Sequence, residues 1–121
     1  MTVATLDGSI LDQLHSALGH DTAVIRNIID NYMAGMPDRL SALNNAAAND
    51  PALLERAAHA LASPSATLGV RAIAEPCIAL ERAVENGRPS AECVAGLIER
   101  IEAAVEPAYA ALRSWLERHP D

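Results

Sequence analysis

The sequence predicts an all-α protein: an up-down-up-down four-helix bundle with a short additional helix at its N-terminal end. Three observations carry this reading. Apolar residues recur at three- and four-residue spacing along four long segments, the period of a helix with one buried face. Residues that cap helix ends stand at the boundaries of those segments. No stretch alternates apolar and polar residues for long enough to make a strand. The connections are short, which favours antiparallel neighbours, and 121 residues suffice for a single core. One domain is therefore expected over 1–121, with its core spanning about 6–118.

Asp7 to Leu18 holds the short helix, with Ile10, Leu11, Leu14 and Leu18 on one face and Gly19 where a left-handed cap closes it. Asp21 or Thr22 opens a longer helix whose stripe runs Val24, Ile25, Ile28, Ile29, Tyr32, Met33, Met36, Leu40 and Leu43. Pro37 falls inside this run. Because the period continues past it, the expectation is a kink rather than a break. Asn44 to Asn49 is the expected fraying end. Asp50-Pro51 sets a capping side chain beside a proline suited to the first helical position, starting a third helix that ends at Gly69. Arg71 to Glu85 makes the fourth, buried through Ile73, Cys77, Leu80 and Val84, with a second kink expected at Pro76. Asn86-Gly87-Arg88-Pro89 makes a turn. Ser90 then caps the longest helix, with Glu92 near its positive end and a stripe of Val94, Leu97, Ile98, Ile101, Val105, Ala108, Tyr109, Leu112 and Leu116. The tail His119-Pro120-Asp121 is expected to fray.

Composition excludes several function classes. The formal charge is −7, no Lys is present, and the nine basic residues are all Arg without forming a basic face. Nucleic acid is therefore an unsuitable partner, since phosphate binding needs clustered cations, and stacking aromatics are nearly absent. The start of the chain has neither the basic nor the apolar region of a signal peptide. No apolar run approaches the roughly 18 residues that cross a bilayer. A cytoplasmic protein with no membrane partner is expected. Cys77 and Cys93 have no motif spacing and are expected to be buried as small apolar groups on neighbouring helices. Half the residues are apolar but none is Phe, so closely packed helices are expected rather than a wide pocket.

The chemistry is expected in the third helix. At 100° per residue, Leu54, Ala58, Leu61, Ser65 and Leu68 fall in one buried arc, and His59 points almost directly away from it. Its surface neighbours would be Glu55, Arg56, Ala62, Ser63 and Ala66, mostly small side chains. The result is an imidazole standing out of a low, flat patch that another protein's surface could approach. A neutral imidazole is a competent nucleophile near pH 7.

This stretch resembles the phosphoacceptor motif of histidine-containing phosphotransfer (HPt) domains, His-x-Leu-Lys-Gly-Ser-Ser followed by a Leu-Gly-Ala step. His59, Leu61, Ser65, Leu68 and Gly69 match in register, and Cys77, Leu80 and Glu81 fit the family's following helix, which ends in Leu-Glu. The resemblance covers roughly residues 6–118. Three positions depart: the family's Lys is Ala62, its Gly is Ser63 and its first Ser is Pro64. The Lys would offset phosphoryl charge, and the Gly would leave room for a partner's backbone. Pro64 cannot donate to the carbonyl of Ala60 and disfavours helical geometry at Ser63, so bending just past His59 is expected.

The resemblance implies a phosphocarrier in a bacterial two-component phosphorelay, with His59 as phosphoacceptor. Glu55, Arg56, Ala62, Ser63 and Ala66 would stabilise the phosphoryl group or form the docking face. The partners would be response-regulator receiver domains and a hybrid or sensor histidine kinase, and the carrier itself a monomer. It would have no turnover, cofactor or metal of its own, Mg²⁺ being expected on the receiver. The alternative is a degenerate HPt-like adaptor that binds receiver or kinase domains without being phosphorylated. Elsewhere, His15 and His20, with Asp12 and Asp21 nearby, match no zinc spacing. Glu99, Glu102 and Glu106 read as a solvated face, and Tyr109 and Trp115 as core or end-packing aromatics.

Overall fold

A computed structural model describes residues 4–47 and 50–120. It contains five helices and, among the described residues, no strand: α1 (Gly8–Ala17), α2 (Thr22–Ala46), α3 (Pro51–Thr67), α4 (Arg71–Glu85) and α5 (Ala91–Arg118). Capping chemistry explains where they begin. Asp7 accepts from the Ser9 amide at 3.1 Å, Asp50 from the amides of Ala52 and Leu53 at 3.1 and 3.3 Å, and Ser90 from that of Cys93 at 3.0 Å. Asp21, rather than Thr22, is the cap of α2. The expected fraying end of α2 instead remains helical through Ala46, while residues 48 and 49 of that stretch lie outside the described residues.

Two helices close with the same left-handed device. After α1, the amide of His20 donates to His15 O at 2.8 Å and that of Gly19 to Ser16 O at 3.1 Å. After α3, Val70 donates to Ser65 O at 2.8 Å and Gly69 to Ala66 O at 3.1 Å. Gly69 has φ 76° and a second reason to be glycine: a Cβ there would lie 2.6 Å from the carbonyl oxygen of Asp7. The segment before α1 is bonded to this turn, Asp7 N donating to Gly69 O at 2.8 Å and Ala72 N to Thr5 O at 3.3 Å.

α3 packs most extensively on α4, α4 on α5 and α2 on α3, and α2 also meets α5. They enclose one core built from Ile25, Ile29, Leu43, Leu61, Ile73, Leu80, Ile101 and Leu112, with Trp115 sealing the end beside α1. Ala57, Ala58 and Ala62 are all buried on α3, and their small size lets the neighbouring helices approach closely.

Proline is accommodated without breaking the helices. Pro37, Pro64, Pro76 and Pro107 all lie inside helices, and each leaves the carbonyl four residues earlier without its usual donor. For Pro37 that carbonyl is Met33 O, and the Tyr109 hydroxyl of α5 donates to it at 3.1 Å. An interhelical side-chain bond thus replaces a missing backbone bond.

Several expectations change. Cys77 is buried, but Cys93 is exposed near the start of α5, so only the first behaves as a small core group. Val24 is 40 % exposed, because it sits in the first turn of α2, beyond the edge of the core. The tail does not fray at His119: its ring stacks on Trp115 at 3.9 Å and 13°, and its Nδ1 lies 2.8 Å from Trp115 O. Trp115 Nε1 donates to Asp12 on α1 at 3.0 Å. Asp121 is outside the described residues.

Candidate functional site

α3 turns His59 outward by committing its opposite face to the core. Leu54, Ala58, Leu61, Ser65 and Leu68 are all buried, whereas the His59 side chain is 71 % exposed. Its Nδ1 stands 3.1 Å from Oε2 of Glu81 on α4, whose side chain is 18 % exposed. A carboxylate can only accept, so the proton of the neutral ring sits on Nδ1 and is donated to Glu81. The lone pair then belongs to Nε2, which no described protein group engages. The arrangement is a nucleophilic nitrogen on an open surface, with its tautomer chosen by an anchored carboxylate.

Arg56, Ser63 and Ala66 are exposed around His59, and Glu55 is half-buried. Ala62 is not part of that surface. It is 4 % exposed, because the residue one turn beyond His59 falls into the close packing of the bundle. As alanine it leaves no cation there. A longer basic side chain could have carried its charge out along the surface. Arg71 is occupied elsewhere, in an ion pair with Glu75 at 2.8 Å.

The family model of the Hpt domain matches residues 27–115. This chain belongs to the Hpt domain family. That family comprises the histidine phosphotransfer modules of phosphorelay signalling, which interact with receiver domains and kinases. The fold agrees: it is similar to the crystal structure of histidine-containing phosphotransfer protein B (HptB) from Pseudomonas aeruginosa PAO1, with a TM-score of 0.77 and 22 % identity over 98 % of this chain and 100 % of that one. No curated protein matches the chain. Among its described residues, no helix is long and apolar enough to cross a membrane.

Within this Hpt domain, Ser65 faces inward despite matching a family serine. It is fully buried and shares a 2.7 Å hydrogen bond with the Tyr32 hydroxyl of α2, which makes it a joint between helices rather than a phosphoryl ligand. Burial pushes the Tyr32 hydroxyl up to about 12, against the opposing effect of the Ser65 bond. Cys77 is a second buried group raised to about 12, by burial first and the charge of Glu81 second. Its thiol stays protonated at neutral pH and is no competitor to His59.

Glu81 is the residue whose role spacing did not reveal. It matches the family's Leu-Glu step, but its partner lies 22 residues away on another helix. Only the packing of α3 on α4 brings the two together. At the far end of the protein, His15 lies edge-on to His20, Trp115 and His119 and its Nε2 is 3.0 Å from Thr22 Oγ1. That cluster builds the end of the core.

Proposed function

We propose that this chain carries a phosphoryl group on His59 between receiver-domain aspartates of a bacterial two-component phosphorelay. The observation that carries the reading is the exposed imidazole of His59 with Nδ1 engaged by Glu81. Nε2 attacks the phosphorus of an aspartyl phosphate; the N–P bond forms, the acyl P–O bond breaks, and the carboxylate leaves. The return step is the reverse, on another receiver. The transition state for such transfer is loose, so catalysis is mostly positioning and charge stabilisation. Those tasks fall to the partner, with Mg²⁺ bound on its receiver domain, and this chain acts as a carrier rather than an enzyme. Its own contributions are the tautomer, the exposure of His59 and a docking face that includes Glu55, Arg56, Ser63 and Ala66. The carrier works as a cytoplasmic monomer, with α2 to α5 in up-down-up-down order, and a hybrid or sensor histidine kinase feeds the relay.

The test is to mix the chain with receiver domains charged by acetyl phosphate, then read intact mass and acid lability. One phosphoryl gained by wild type and none by His59→Gln is the expected result. Receiver binding that survives the substitution, with no label on wild type, would overturn the carrier reading. That outcome would make the chain an adaptor, the reading favoured by Ala62, Ser63 and Pro64.

A further inference from the structure

We propose that Arg39 is a docking residue, its guanidinium parked in the groove between α2 and α3 to receive a carboxylate side chain of the incoming receiver domain. This rests on the phosphocarrier reading and adds to it a residue that lies outside the phosphoacceptor motif.

Arg39 is unusual among the cations of this chain. Acidic residues outnumber basic ones 16 to 9, and among the described residues Arg71 is the arginine that pairs with a carboxylate; what sets Arg39 apart from the other unpaired arginines is burial. Among the described residues, its Nη1 is the buried side-chain nitrogen without a hydrogen-bond partner. A buried donor without an acceptor is unfavourable, so this nitrogen gains from a partner that supplies one. The guanidinium reaches this position because residue 35 is glycine: a Cβ there would stand 2.7 Å from Nη1 and 3.2 Å from Cζ of Arg39. The side chain therefore lies flat along α2 over Gly35, where its positive field reaches the Tyr32 hydroxyl.

The surroundings fit a carboxylate. Ile28, Tyr32 and Pro64 line the groove beside Arg39, with Asn31 and Thr67 as further hydrogen-bonding groups, and no acidic residue lines it. A neighbouring depression along the same pair of helices holds Arg56 and Leu53, again without an acid. Leu53 is 47 % exposed. An acidic protein thus presents one strip with two arginines, an exposed leucine and no lining carboxylate. Pro64 and Thr67 follow His59 by five and eight residues, roughly 7 and 12 Å along the helix axis. One partner footprint of about 800 Å² covers His59 and this strip together. A guanidinium at such a groove attracts a partner's carboxylate, and a charge at such a position sets association and its salt dependence.

The experiment uses the receiver domain of the labelling test and three full-length proteins: wild type, Arg39→Gln and Gly35→Ala. Arg39→Gln should weaken receiver binding about tenfold and flatten its salt dependence, raising the KM of phosphotransfer while leaving the rate at saturation near wild type. Gly35→Ala keeps the arginine but displaces it, so it should also weaken binding although alanine makes α2 more stable to heat. A purely structural role for Arg39 would move stability and leave KM alone. Unchanged KM in both variants, with His59 still labelled, overturns the docking role and leaves the carrier reading standing. Weakened binding in Arg39→Gln alone overturns the parked geometry. Absence of label and binding in wild type removes the carrier reading and this inference with it.

Discussion

Removing the Glu81 carboxylate tests whether tautomer choice at His59 contributes to transfer. The bond is 3.1 Å long and joins a side chain that is 18 % exposed to one that is 71 % exposed. A hydrogen bond to a charged group contributes about 1.5–3 kcal/mol, and solvent on the histidine side reduces this to about 1 kcal/mol. At 1.4 kcal/mol per factor of ten, Glu81→Ala should slow receiver-to-His59 transfer about fivefold. Glu81→Gln still offers a carbonyl acceptor to Nδ1–H, so it should stay within about twofold. Quench-flow transfer at saturating receiver measures both rates, and ¹⁵N chemical shifts of the His59 ring report which nitrogen holds the proton. Global stability should change by no more than about 0.5 kcal/mol, since the His59 side of the pair is open to solvent. A wild-type rate in Glu81→Ala, with its tautomer shifted to Nε2–H, would refute the reasoning: the proton's position would then be irrelevant to attack.

Two further outcomes follow from the packing. Tyr109→Phe should cost about 1–2 kcal/mol by stranding Met33 O, but markedly less in a Pro37→Ala background, where the alanine amide can donate to the same carbonyl. A double-mutant cycle from denaturant melts measures the coupling, and strictly additive effects would contradict the pairing. Stability should fall as pH rises above 9, because Cys77, at 9.0 as a free reference group, ionises in the unfolded chain but stays protonated when folded, where its thiol is raised to about 12. The unfolded state then binds fewer protons, giving a loss of about 1.4 kcal/mol by pH 10. Cys77→Ala should flatten that slope in urea melts at pH 8 and 10.

Much of this was legible in the chain itself, where the signal is local. Asp50-Pro51, Ser90 and Gly69 mark helix ends through bonds to residues two to five positions away, and the stripe of α3 places His59 outward by geometry alone. What escaped depends on neighbours. A single-helix projection sets Ala62 beside His59 but does not reveal that packing covers it. Glu81 and Tyr109 acquire their roles from partners on other helices, at Nδ1 of His59 and at Met33 O. His119 has the composition of a loose end, yet Trp115 four residues earlier gives it a ring to stack on. Cys93 has the composition of a core residue, but it lies on the solvent side of α5's first turn.

The bonds from Thr5 and Asp7 to Ala72 and Gly69 also impose an order on assembly. A nascent chain has made all of α1 and its cap long before the turn that anchors it exists. Until residue 72 leaves the ribosome, the first helix has no partner for these two bonds, and a helix of 10 residues is marginal in isolation. Synthesis therefore runs α2 and α3 past an undocked α1, and these two bonds close only after the helix bearing His59 has been completed.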